Sequence, residues 1–204
     1  MSKRLAATKI FRLLRPSDAA IALVLLTAAP MLAAAPARAA EAQLLPAPEK
    51  DLGPVKKSVG TATGLPVPRY VSLKSGRINV RRGPGNDYPI EWVFEKKGLP
   101  VEITAESDRW RRIRDREGDV GWVWHSMLDG RRTGIVENKT GNGSPVALHA
   151  EPDAQSPIVA YAEPGVVAQL AACKGPWCEL KADGYEGWLA RDDVWGAYPG
   201  ENFE

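Results

Sequence analysis

The chain has 204 residues, 44% hydrophobic and 25% charged, with a formal net charge of +2. That balance excludes a highly charged, coreless polymer. The excess of positive charge belongs to the first 39 residues: without them Lys+Arg falls from 27 to 21 and Asp+Glu from 25 to 24, a net of −3, so composition offers no case for nucleic-acid binding.

The start of the chain carries Lys3, Arg4, Lys9, Arg12 and Arg15, followed by an apolar run over residues 19–35 that is broken only by Thr27 and Pro30. Ala37-Arg38-Ala39 then places small residues where a signal peptidase reads, which predicts a signal peptide over 1–39. The run is short for a bilayer span and no cysteine follows it closely, so neither stable membrane insertion after cleavage nor a lipid anchor is expected. The predicted location is the periplasm or the outside of the cell. Residues 40–68 hold Pro46, Pro48, Pro54, Pro66 and Pro68 and no aromatic residue, and read as a Pro-rich disordered linker.

From residue 69 onward the chain repeats itself. Pro84 and Pro89-Ile90 recur as Pro152 and Pro157-Ile158 at an offset of 68, Gly98 and Trp110 as Gly165 and Trp177 at 67, and Gly121-Trp122 as Gly187-Trp188 at 66. Two units follow, 69–132 and 133–197, with a tail over 198–204. Within the first, residues 77–82, 101–104, 109–115 and 120–124 alternate apolar with polar side chains, the period of short strands. Gly83-Pro84-Gly85-Asn86-Asp87, Lys96-Lys97-Gly98 and Arg116-Glu117-Gly118-Asp119 supply turns between them. The predicted fold class is all-β: two tandem small β-barrels.

The run Ile78-Asn79-Val80-Arg81-Arg82-Gly83-Pro84-Gly85, a Lys-Lys-Gly turn, Trp110 three before Ile113, and Gly121-Trp122-Val123 resemble the bacterial SH3-like domain. In that family the Asn-Val-Arg strand opens the domain and Gly-Trp-Val closes its barrel. The second unit keeps the Pro, Gly and Trp skeleton but has Ala147-Leu148-His149 in place of Asn-Val-Arg. The resemblance implies a targeting or protein-interaction module of bacterial envelopes, of the kind that usually accompanies a catalytic domain; here the linker and two units use the whole mature chain.

Cys173 and Cys178 bracket Lys174-Gly175-Pro176-Trp177, a spacing that sets them opposite each other in a hairpin, and an oxidising compartment would close a disulfide. His125 and His149 occupy unlike places in the repeats, carboxylates are scattered, and Ser72 and Ser126 lack the glycine-framed elbow of a hydrolase. The expectation is no enzyme, no catalytic residue, no metal and no cofactor.

Trp110/Trp177 and Trp122/Trp188 recur and read as scaffold, whereas Trp92 and Trp124 are replaced by Ala160 and Ala190 and read either as ligand contacts or as packing between the barrels. Charge separates the units: residues 69–132 carry 14 Lys+Arg against 10 Asp+Glu, and residues 133–197 carry 4 against 9. Tyr88, Trp92, Trp124, Arg81, Arg82, Arg112 and Arg114 are therefore the predicted ligand-binding set, with Arg112 and Arg114 on one face and Arg111 on the other. The expected partner is a cell-wall polymer such as peptidoglycan or an envelope protein; the rival is a structural subunit whose barrels serve protein–protein contacts.

Overall fold

In Ile78–Arg81 the side chains of Ile78 and Val80 turn inward, 1% and 0% exposed, while Asn79 between them faces water. The same period of two governs Ile90–Phe94, Val120–Trp124 and Val146–His149. The computed structural model describes residues 13–14, 57–139 and 141–204. In chain order the strands are β1 (Leu13–Leu14), β2 (Ser58–Val59), β3 (Pro66–Val67), β4 (Arg69–Leu73), β5 (Ile78–Arg81), β6 (Ile90–Phe94), β7 (Pro100–Ser107), β8 (Trp110–Arg114), β9 (Val120–Trp124), β10 (Leu128–Asp129), β11 (Thr133–Val136), β12 (Val146–His149), β13 (Ile158–Ala162), β14 (Val167–Lys174), β15 (Trp177–Ala182), β16 (Tyr185–Ala190) and β17 (Val194–Trp195). Of the predicted signal peptide, only Leu13–Leu14 falls within the described residues, as a short strand against β13; the rest of it, and residues 40–56 of the predicted linker, lie outside them.

The first unit orders its strands β10-β4-β7-β8-β9-β5-β6 and the second β17-β11-β14-β15-β16-β12-β13, with β1 beyond β13. One sheet topology is thus built twice, and all pairs are antiparallel. Turn chemistry repeats too: Gly98 and Gly165 both hold a positive φ, 78° and 91°, which side chains resist. Short 3-10 turns at His125–Met127 and Arg191–Asp193 occupy equivalent places, and no α-helix occurs among the described residues. Each unit has its own core, around Val80, Val101, Ile113 and Val123 in the first and around Leu148, Leu170, Leu180 and Leu189 in the second.

One segment departs from expectation, and the tail gains a structural role. Residues 57–68 are not linker: β2 and β3 pair as a hairpin, and its loop is held by Glu106 of β7, whose carboxylate accepts from the amides of Ala62 (3.0 Å) and Thr63 (2.9 Å) and from the Thr63 hydroxyl (2.7 Å). The tail is likewise bound. Phe203 pairs with Cys173, and Glu201 receives the fork of Arg132 at 3.0 Å on both oxygens.

The units meet at Tyr70, which packs edge-on to Trp195 at 5.1 Å and tilted against Tyr198 at 4.7 Å. Tyr198 donates its hydroxyl to Glu102 at 2.7 Å, and Arg114 donates to the other Glu102 oxygen at 2.7 Å. Burial first, then the hydrogen bond to Glu102 and its charge, push the Tyr198 phenol well above its ordinary pKa, so it stays a donor. Ile135 of β11 completes the first unit's core from across the junction.

Candidate functional site

Residues directly opposite one another on antiparallel strands place their side chains on one face. Arg112 of β8 lies opposite Trp122 of β9, Trp122 opposite Arg81 of β5, and Arg81 opposite Ile90 of β6. Their chain neighbours Val80, Ile113 and Val123 are buried, so the row Ile90–Arg81–Trp122–Arg112 crosses the outer face of the sheet. Trp124, two residues beyond Trp122, shares that face. It stands edge-on to Trp110 at 5.3 Å, with the Arg109 guanidinium 5.9 Å from its ring. The result is a partly exposed tryptophan platform between two arginines.

Tyr88 and Ile90 border the row and are 46% and 44% exposed. Arg81 donates to the Tyr88 carbonyl at 2.6 Å, so one guanidinium both joins the face and pins the loop after β5. The Gly-Pro-Gly in that loop has a steric cause: a Cβ on Gly83 would collide with the Tyr88 ring, and one on Gly85 would press it at 3.2 Å. In the second unit Glu151 and Asp153 replace these glycines and Ser156 replaces Tyr88, a change of partners in step.

The predicted ligand-binding residues divide accordingly. Arg81, Arg112, Trp124 and Tyr88 come together. Trp92 does not: it is 5% exposed in the first core, and the Cβ missing from Gly121 would approach its ring at 3.0 Å, so its exchange for Ala160 changes core volume rather than a binding surface. Arg114 is committed to Glu102 at the junction, and Arg82 pairs with Glu91 at 2.8 Å away from the tryptophans. Trp122, Ile90 and Arg109 join the face unforeseen. The recurrence that marks Trp122 as scaffold says nothing of whether a strand residue points outward, which its place opposite the two arginines decides.

Arg112 and Arg114 are exposed on one face and Arg111 is buried on the other, as the alternation predicts. Arg111 approaches Glu106 at 3.5 Å, and Arg69 donates to Glu106 at 2.7 Å. Burial of that carboxyl raises its pKa, but hydrogen bonds from Thr63, Arg69 and the Ala62 and Thr63 amides outweigh burial and hold it down to about 2.

The second unit carries the same row with altered chemistry: Ile158, His149, Trp188 and Glu179 stand in register, and Ala190 replaces Trp124. His149 donates to the Ser156 carbonyl at 3.0 Å, the bond that Arg81 makes to Tyr88. Glu179 stands where the first unit has Arg112. A cationic platform has become an acidic one.

Cys173 and Cys178 form a disulfide across the β14–β15 hairpin, at the pair next to Lys174 and Trp177. The equivalent pair in the first unit is Glu106 and Arg111. An ionic cross-link in one copy is thus covalent in the other. Among the described residues no three His, Cys, Asp or Glu side chains converge as a metal site, and no helix is long and apolar enough to cross a membrane.

The bacterial SH3 domain family matches residues 74–130 and 142–196, one match per unit. Among solved structures the chain is similar to NlpC2 from Trichomonas vaginalis, at 11% identity and a TM-score of 0.30 over 64% of this chain and 49% of that one. It is also similar to NlpC1 from the same organism, at 12% identity and a TM-score of 0.29 over 70% and 51%. The chain spans about half the length of both. No curated protein matches it.

Proposed function

The chain belongs to the bacterial SH3 domain family, in two tandem copies, and on that premise we propose a secreted or periplasmic, non-enzymatic binding protein that recognises a cell-wall component or an envelope protein through its first unit. The row Arg81–Trp122–Arg112, extended by Trp124, carries this reading. Indole faces stack on sugar rings or apolar groups, and guanidinium forks hold carboxylates or phosphates by charge-assisted hydrogen bonds. An anionic, sugar-bearing polymer such as peptidoglycan satisfies both.

Asymmetry between the copies supports the assignment. The second unit preserves the sheet order and the scaffold tryptophans while replacing Arg81, Arg112 and Trp124 with His149, Glu179 and Ala190. Those exchanges fall on the outer face, where they alter what the surface attracts. The junction at Tyr70, Trp195 and Tyr198 uses a different part of the first unit and leaves the row open.

Co-sedimentation of residues 40–204 with purified cell wall tests the reading. The double variant Arg81→Ala/Arg112→Ala should bind about tenfold more weakly or worse, since each lost charged hydrogen bond is worth roughly 1.5–3 kcal/mol. Added salt should weaken the parent more than the variant. A variant that melts like the parent and sediments equally well would refute the assignment.

A further inference from the structure

The two copies can be compared at a second place, the end of the β7–β8 hairpin and its counterpart β14–β15. His125 donates its amide to the Arg109 carbonyl at 2.9 Å, and Arg191 donates to the Pro176 carbonyl at 2.8 Å. These matching bonds, with the matching pairs Ser107–Trp110 and Lys174–Trp177, set Glu106 on Cys173, Asp108 on Gly175, Arg109 on Pro176 and His125 on Arg191.

In the second unit this place is filled by the chain's own C-terminal segment. Phe203 exchanges two backbone hydrogen bonds with Cys173, at 2.8 and 3.1 Å. The Asn202 carboxamide oxygen accepts from the Gly175 amide at 3.0 Å and faces Arg191 Nη2 at 3.5 Å, while Arg191 Nη1 donates to the Tyr198 carbonyl at 3.1 Å. An extended segment is thus gripped at two points, a backbone edge and a side-chain receptor.

In the first unit only one of the two is taken. Thr61 of the N-terminal hairpin donates to the Glu106 carbonyl at 3.0 Å, covering the edge that Phe203 covers in the second. The receptor half is open. Asp108 holds a left-handed φ of 47°, as Gly175 does at 54°, and its amide has no partner among the described residues. His125, in the place of Arg191, is exposed. Between them lies a groove of about 660 Å³ bordered by Thr61, Ala62, Ser107, Asp108, Arg109 and His125.

We propose that this groove receives the Asn side chain of an extended peptide from a partner protein, bound to the Asp108 amide and the His125 ring as Asn202 is bound to Gly175 and Arg191. Trp124 lies beside Arg109, its ring 5.9 Å from that guanidinium, which favours a peptide with an aromatic neighbour next to that Asn, as Phe203 stands next to Asn202. The groove adjoins the outer face at Arg109 and Trp124 but includes none of Arg81, Trp122 and Arg112.

The probe is a synthetic peptide of residues 198–204, titrated into isotope-labelled 40–204 to about 5 mM, the effective concentration range that a tethered segment meets. Saturable shifts of the Asp108, Arg109 and His125 amides are expected, with the C-terminal segment remaining in place. The same peptide carrying Leu for Asn202, and the variant His125→Leu, should each bind about fivefold more weakly, as expected for one lost hydrogen bond. Arg81→Ala/Arg112→Ala should leave the affinity unchanged, which separates failure here from failure of the outer-face assignment. No shift at these amides, shifts confined to Gly175 and Arg191, or equal binding of the Leu peptide would overturn the proposal.

Discussion

Glu106→Gln is the substitution with the most calculable consequence. The side chain is fully buried yet charged, and it joins the hairpin loop, Arg69 and Arg111 at one point. Its folded pKa of about 2 against an ordinary 4.5 corresponds to about 3 kcal/mol of stability at neutral pH, at roughly 1.4 kcal/mol per unit. Because the folded value is the lower, this stability is fully present above about pH 4.5 and is lost as the pH falls toward 2. Glutamine keeps one acceptor but leaves two guanidinium groups without their counter-charge, so urea unfolding at pH 7 should show a loss of about 2–3 kcal/mol. Hydrogen exchange should quicken first at the amides of Ala62 and Thr63, which the carboxylate holds. The variant should also show a shallower fall in stability below pH 4.5 than the parent, the remainder coming from other carboxylates held down in the fold, such as Glu201. A loss under about 0.5 kcal/mol, or parallel acid profiles for the two proteins, would refute this account of the hairpin.

Alkylation of residues 40–204 should label no cysteine before reduction and two after it, and Cys173→Ser/Cys178→Ser should cost about 2 kcal/mol, the small value expected of a short loop. Gly83→Ala should cost about 1–3 kcal/mol by forcing the Tyr88 ring away, and the cost should largely vanish in a Tyr88→Ser background; a double-mutant cycle without coupling would contradict the steric argument. Tyr198→Phe should lower stability by about 1–2 kcal/mol by leaving one oxygen of buried Glu102 without its donor, and should speed exchange at the Ile135 amide between the units. Unchanged melting in that variant would show that the tail does not tie the units together.

The strands within residues 77–82, 101–104, 109–115 and 120–124, the turns between them and the duplication were legible because each is a local pattern: an alternation, a glycine with positive φ, a constant offset. The disulfide was legible for the same reason, since hairpin spacing sets Cys173 opposite Cys178. Residues 57–68 were not, because Pro66 and Pro68 lie in a stretch without apolar rhythm, and the hairpin is held by a carboxylate more than forty residues away. The tail hides its role similarly in Glu201, whose partner Arg132 is 69 residues distant. At the site, reading Trp92 as a ligand contact overlooks that it alternates with Phe94, a core residue, on the inward side of β6. The junction role of Arg114 depends on a second unit that strand periodicity does not describe.

The most direct measurement converts the first unit's outer face into the second's. Arg81→His, Arg112→Glu and Trp124→Ala, combined in residues 40–204, install the second copy's residues at equivalent positions and leave the buried scaffold intact. Cell-wall co-sedimentation of this triple variant, with thermal melting as the check on folding, should fall to the level of the isolated second unit. Sedimentation equal to the parent's in a variant that melts like it would place the binding surface elsewhere and contradict the account.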